Sequence, residues 1–342
     1  MAIPESLLLA IVGCLCFHSA VVEARGLNDD SVMLARHENW MAQYGRVYND
    51  DAEKMRRFKI FKENNKFIEA FNAGNHKFLL GVNQFADLTN EEFRDTKTIR
   101  GLKPGGMRVP TGFRYENANL AALPATVDWR KKGAVTPIKN QGTTCGSCWA
   151  FAAVASIEGI TKLSTGKLVS LSEQELVDCD INDMDGGCDG GWADGAFNFT
   201  IKNGGLTTEA SYPYTGKDGK CQTAKAATSA VTIKGYEYVP INDEAALMKA
   251  VANQPVTVSI DGGDKMFQFY SSGVMTGSCG TELDHVITAI GYGMESDGTK
   301  YWLLKNSWGT TWGESGYVRM EKDISDKKGM CGLAMDPSYP TY

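Results

Sequence analysis

Cysteine placement limits what this chain can fold into more than any other feature. Nine cysteines occur in 342 residues. Cys14 and Cys16 lie in an apolar N-terminal run, Leu7 to Phe17. The others, Cys145, Cys148, Cys179, Cys188, Cys221, Cys279 and Cys331, all follow Pro124. In an oxidising compartment six of these can pair, in several connectivities that sequence cannot separate, and one thiol is left over. An odd thiol in a secreted protein needs a purpose, and a catalytic nucleophile is one.

The apolar run supports the oxidising compartment. It has about the length of a signal-peptide core and is too short to span a bilayer comfortably. Small residues at Ala20 and Ala24 follow it, so cleavage near Ala24 is expected, although Glu5 stands where a basic residue is usual. No later stretch reaches the ~18 apolar residues of a spanning helix. The formal net charge of −6 argues against a nucleic-acid partner.

Composition then divides the chain. Residues from about Ser31 to Phe93 are charged and free of cysteine. Within them Met55, Phe58, Phe61, Ile68 and Phe71 recur at helical spacings, and Asn49–Asp50 offers a cap. A linker over about 96–122 carries Gly101, Pro104, Gly105, Gly106, Pro110 and Gly112, the composition of an exposed, easily cut segment. A boundary is placed near Leu123, giving segments 1–24, 25–122 and 123–342.

In the last segment Cys148 to Gly159 reads as a buried helix opened by Gly146–Ser147. Ser172 and Glu175 have the spacing of a capping box over Ser172 to Cys179. Ala230 to Ile233, Val256 to Ile260, His285 to Gly291 and Tyr301 to Lys305 read as strands, and Asp243 to Ala252 as a short helix capped by Asp243. Helices first and strands later predict an α+β fold with two subdomains.

A thiol at a helix start feels the positive end of the helix dipole, which favours thiolate at Cys148. Four histidines occur in the chain: His18 in the leader, His37 and His76 before the linker, and His285. After Pro124 His285 is the sole imidazole, so it is the sole histidine base available to Cys148. A different reading takes Cys145 and Cys148 as a C-x-x-C zinc or redox motif. Zinc needs two further ligands, and a dithiol leaves Cys188 without a mate.

The blocks Gln141–Gly142 with Cys145–Gly146–Ser147–Cys148–Trp149, Gly187 to Gly191, Leu283 to His285 and Asn306 to Tyr317 occur in that order. On them the chain resembles the papain family of cysteine proteases, of the plant cathepsin-L-like type, over nearly everything after the leader. His285 falls inside the ~130–150-residue interval that family keeps after its cysteine, and Asn306 slightly beyond it. The resemblance implies a papain-like fold, with a helical left domain and a β-barrel-like right domain, preceded by a helical inhibitory propeptide at about 36–93. It implies a cysteine endopeptidase made as a zymogen and activated at acidic pH. Cys148 is the implied nucleophile, His285 the acid–base, Asn306 its orienter, and Gln141 with the Cys148 N–H the oxyanion donors. Trp308 would shield the His285–Asn306 bond, and Gly190 and Gly191 would let a substrate strand approach the backbone.

Also implied are Cys145–Cys188, Cys179–Cys221 and Cys279–Cys331 disulfides, each typically contributing ~2–5 kcal/mol. Glu53, Arg57, Phe61, Asn64, Ile68 and Asn72 match the inhibitory helix, and Gly81, Asn83, Phe85 and Asp87 its second motif. Trp192, Leu283, Asp284 and Asp336 complete the implied substrate contacts. Asp336, at the S2 floor, either accepts a basic P2 side chain or points to solvent, leaving Trp192 and Leu283 to line an apolar pocket. The implied partners are protein and peptide substrates, the chain's own propeptide and cystatin-type inhibitors. No cofactor or metal is implied; the molecule is expected to be a monomer in the vacuole or outside the cell. The sequon Asn198–Phe199–Thr200 marks a glycosylation candidate. One departure stands out: two residues, Thr143 and Thr144, separate Gln141–Gly142 from Cys145 where the family usually has one. The extra residue either bulges harmlessly or displaces Gln141. The remaining rival is a protein that kept this fold for binding and lost activity.

Overall fold

The computed structural model describes residues 30–97, 112–181 and 185–342. The leader with its Leu7–Phe17 run, Ala20, Ala24, Cys14, Cys16 and His18, and the linker core over 98–111, lie outside the described residues. The chain divides into two units, Met1–Phe67 and Ile68–Tyr342.

In the first unit α1 covers residues 30–44, and α2, Asp51–Asn72, begins there. Asp50 is the cap: its Oδ1 accepts from the Glu53 N–H at 2.8 Å. His37 and Trp40 meet Phe61, with ring centroids 5.0 and 5.4 Å away. Phe58 and Phe61 are buried, but Met55 is 48% exposed. At about 100° per residue Met55 sits roughly 120° around the helix from Phe61, off the stripe. Arg56 and Arg57 both pair with Glu53 and hold its carboxyl down at about 2.

The second unit is built on a sheet ordered β1-β5-β8-β7-β6-β4-β9-β3, with β2 beside β6. In chain order come β1 (Phe78–Leu80), α3 (Asn90–Lys97), β2 (Val127–Asp128), α4 (Cys148–Thr165), α5 (Glu173–Cys179), α6 (Ala193–Lys202), α7 (Thr223–Ala226) and β3 (Gly235–Tyr238). Then follow α8 (Glu244–Val251), β4 (Val256–Ile260), α9 (Lys265–Phe269), β5 (Tyr270–Met275), β6 (His285–Met294), β7 (Lys300–Lys305), β8 (Tyr317–Glu321) and β9 (Ser338–Thr341). Neighbours are antiparallel except β5 and β8. The run α4 to α7 precedes strands β3 to β9, among which only α8 and α9 intervene, because the apolar period changes from helical to continuous along the chain. β4 is buried throughout and β6 everywhere but Met294, as suits inner strands covered on both faces.

α4 runs through the core with Cys148 to Thr161 buried, and ends where Gly166 adopts φ 77°. It packs on β6, where the Thr288 hydroxyl donates to the Ala152 carbonyl at 3.3 Å. Two expectations need correction. The capping box is half present: Ser172 accepts from the Glu175 N–H, but the Glu175 carboxylate instead accepts from Thr207 N–H and Asn203. The Thr207 amide, brought near by the fold, outcompetes a return bond to the cap. Ala230 to Ile233 forms no strand; Val231 makes one isolated bridge to Leu206, since no neighbouring strand runs alongside.

Candidate functional site

The site lies where α4 and β6 begin. Ser147 is the N-cap of α4 and Cys148 its first residue, fully buried. Among the described cysteines Cys148 is the free one; Cys145 is bonded to Cys188, Cys179 to Cys221 and Cys279 to Cys331. With its sulfur in that bridge, Cys145 is not available to a C-x-x-C metal or dithiol centre.

His285 opens β6, opposite Ile260 of β4. Its Nε2 lies 2.8 Å from Asn306 Oδ1, and that oxygen also accepts from the Ser307 N–H at 2.8 Å. The second bond fixes the amide's orientation, so Nε2 carries the proton and Nδ1 is the basic nitrogen. The ring stacks on Trp308 at 4.5 Å, and Trp308 is fully buried against Trp312. Gly262 makes room for the histidine: a Cβ there would lie 2.5 Å from His285 Cβ.

Val286, next in the chain to His285, lies in the same buried cluster as Cys148. Burial pushes this thiol up to about 12; the amides of Val286, Trp149 and Cys148 pull the other way, and Asp284 adds to the rise.

Gln141 is buried and held at both ends. Its N–H donates to Ser307 O at 2.8 Å, the Ser307 hydroxyl donates to its Oε1 at 2.7 Å, and its Nε2 donates to Cys145 O at 3.1 Å. Thr143 and Thr144 are exposed, with the Thr144 hydroxyl on Gly216 O at 3.2 Å. The extra residue therefore bulges outward while Gln141 stays inside.

The other expected site residues are distributed around this centre. Asp284 accepts from the N–H groups of Gly262 and Gly263, and burial raises its carboxyl to about 7 against those amides and Arg94. Leu283 is buried and Trp192 half-buried. Gly190 has φ 121°, open chiefly to glycine. A Cβ on Gly191 would fall 2.7 Å from both Trp149 and Asp185, so its size is set from within the fold. Asp336 is half-buried and accepts from the Ser259 hydroxyl at 3.0 Å. Asn198 lies half-buried within α6, and the buried Thr200 hydroxyl donates to Ala196 O at 2.7 Å.

Residues 68–97 lie against the same centre. β1 adds to β5, and Asn72 clamps Leu80 in both directions, at 2.8 and 2.9 Å. Gly81 N–H donates to Phe269 O and the Asn83 amide to Gln268 O, both at 2.8 Å. Phe85 and Phe93 meet the Trp308 indole edge-on at 5.6 and 5.4 Å. Gln84 donates to Trp308 O and accepts from Thr311, each at 2.8 Å. Asp87, from the same expected motif, is buried. Sequence reasoning missed Gln268, which takes the Asn90 amide on its Oε1 and donates to Phe85 O and Leu88 O. It also missed Ser307, although Ser307 sits beside Asn306 in a quoted block, and Tyr214, for which the sequence carries no signal.

The profile described as papain family cysteine protease matches residues 123–341, and that described as cathepsin propeptide inhibitor domain (I29) matches residues 37–93. A senescence-specific cysteine protease SAG39 of Oryza sativa subsp. indica is 72% identical over 341 residues, covering 100% of both chains. The senescence-specific cysteine protease SAG12 of Arabidopsis thaliana is 55% identical, covering 98% of this chain and 97% of its own. Among solved structures, a recombinant stem bromelain precursor superposes with a TM-score of 0.83 at 48% identity, covering 90% of this chain and 98% of that one. The proform of the ragweed pollen allergen Amb a 11 gives 0.83 at 44%, covering 90% and 94%.

Proposed function

Because the chain belongs to the papain family of cysteine proteases and is a cysteine endopeptidase made with an inhibitory propeptide, we propose that Cys148 and His285 carry its chemistry as a thiolate–imidazolium pair. The observation that supports this most is that Cys148, the free thiol among the described cysteines, shares a buried cluster with Val286, whose chain neighbour His285 is held by Asn306 and stacked on Trp308. The Cys148 sulfur attacks the peptide carbonyl, forming a C–S bond. His285 gives its proton to the leaving amine as the C–N bond breaks. Water, deprotonated by His285, then splits the thioester and frees the carboxylate. Asn306 holds the ring, Trp308 keeps water from the Nε2 bond, and Gln141 with the Cys148 N–H stabilises the oxyanion.

The thiol at about 12 belongs to the covered state. Removing the segment over Trp308 admits water and allows His285 to charge, and both changes lower it. Activation belongs in an acidic compartment of the secretory pathway, a vacuole or the extracellular space, on the chain of a monomer open to cystatin-type inhibitors. Asp336 with Ser259 gives S2 an acidic floor that accepts basic as well as apolar P2 side chains, between Trp192 and Leu283.

The test is acid incubation of the precursor, N-terminal sequencing, and assay on fluorogenic peptides including a P2 library. Wild type is expected to gain a new terminus between Ala121 and Pro124 and to hydrolyse peptide at least ~10⁴-fold faster than Cys148→Ala. Equal inactivity of the two at every pH rejects the chemistry. Failure of Arg or Lys at P2 to respond to Asp336→Ser rejects the S2 reading alone.

A further inference from the structure

The loop between Gln141 and the nucleophile's helix is closed by a side chain from elsewhere. The Tyr214 hydroxyl donates to the Gln141 carbonyl at 2.9 Å. With its one proton used there, it accepts from the Ser147 hydroxyl at 2.6 Å. One phenol oxygen thus joins the residue before the loop to the residue after it. The three groups form a polarised chain, Ser147 to Tyr214 to Gln141, in which each bond strengthens the next.

Two local features show that the loop is organised around this oxygen. Serine at an N-cap ordinarily turns its oxygen onto the helix amides, a bond typically contributing ~1 kcal/mol. Ser147 makes no such side-chain bond. The helix gives up that stabilisation where its nucleophile sits, and the hydroxyl serves Tyr214 instead. The phenol is also fixed in place: its ring meets Phe151, one turn into α4, edge-on at 4.8 Å, and its own N–H is held by Glu209. Beyond it, Gly216 O anchors Thr144 from the bulged loop.

We propose that Tyr214 is a positioning residue for hydrolysis, holding the Gln141 carbonyl to Ser147 across the lengthened loop so that the Gln141 amide and the Cys148 N–H converge on one oxyanion. This rests on the oxyanion role given to Gln141 above. Ser307 fixes the Gln141 N–H and Oε1, and Tyr214 fixes the carbonyl. Without Tyr214 the loop carrying Thr143 and Thr144 has one anchor fewer, on the side facing solvent. A displacement of ~1 Å can cost up to ~10²-fold in rate.

The experiment compares processed wild type with Tyr214→Phe, Ser147→Ala and Thr143 deletion, singly and with Tyr214→Phe added to the deletion. Tyr214→Phe keeps the ring and removes the oxygen. It is expected to lower kcat ~10-fold with KM within about twofold, short of the ~10²–10³ cost of losing a donor outright. Alkylation of Cys148 by iodoacetamide, which develops no oxyanion, stays within about twofold. Ser147→Ala acts in the same direction more weakly, and serves where the tyrosine variant folds poorly. In the shortened loop the Tyr214→Phe penalty falls below ~3-fold. Unchanged kcat in Tyr214→Phe overturns the inference while leaving the protease reading intact. So does a parallel loss of turnover and alkylation, which would mean general damage to the nucleophile. A wild type that alkylates normally yet hydrolyses no peptide overturns both.

Discussion

Residues 68–97 and the peptidase body after Leu123 are attached to the same sheet by different means, and the contrast indicates how each answers acid. The earlier segment has no cysteine and docks through main-chain bonds, two buried rings and a few amides. Two of its ion pairs are exposed, Lys77 to Asp297 at 3.3 Å and Arg94 to Glu282 at 3.4 Å, and a third reaches from Arg94 to the buried Asp284 at 3.9 Å. The body carries three disulfides and carboxyls buried in its core. Burial raises Glu173 despite Lys139 beside it, and raises Glu175 to about 7. Carboxyls raised in this way make the folded body bind more protons than the unfolded chain in mild acid, so acid favours it. The Lys77–Asp297 pair does not supply an acid release at mild pH. Thr299 and then Lys77 hold Asp297 at about 2, so that pair survives until strongly acidic conditions.

The sharpest way to break this contrast is Phe93→Ala in the Cys148→Ala precursor. Phe93 is fully buried, and such truncations typically cost ~3–5 kcal/mol. The loss is expected to fall on the segment: limited proteolysis should open residues 81–97 while the body's Tm moves little. A single shared transition, with body and segment lost together, would show that the two are one cooperative unit.

Glu175→Gln tests the body's side. The folded carboxyl at about 7 lies above the ordinary value of ~4.3, so its contribution is complete below about pH 4 and is lost as pH rises through 7. Glutamine keeps an acceptor for the Thr207 N–H and removes the titration. The decline in stability of the processed protein from pH 4 to 8, followed by Tm, should flatten by ~1–3 kcal/mol. An unchanged slope would assign the acid preference to other groups.

The smallest effect is expected from Arg94→Ala. Its partners are exposed or 3.9 Å away, so the segment should lose under ~1 kcal/mol and activation should begin at nearly the same pH. A shift of a full pH unit would restore the ion pairs as the latch.

Much of the site was legible along the chain. The position of Cys148 at a helix start, the lone imidazole after Pro124 and the odd thiol follow from residue identity and local period alone. So do α4, α8 with its Asp243 cap, β4 and the start of β6, because short-range spacing decides which face is apolar. What local pattern could not decide was where partners come from. Glu175 abandons its cap for Thr207, Gln268 gathers a segment remote in sequence, and Ser147 gives its hydroxyl to Tyr214. Hydrogen bonds act over about 3 Å of space regardless of sequence distance. Residue order therefore determined which groups this protein possesses and which elements carry them. Only the packing of α4 on β6 determined which of those groups meet, and so that a buried thiol, a tautomer-fixed imidazole and a loop tied down by a distant phenol share one site.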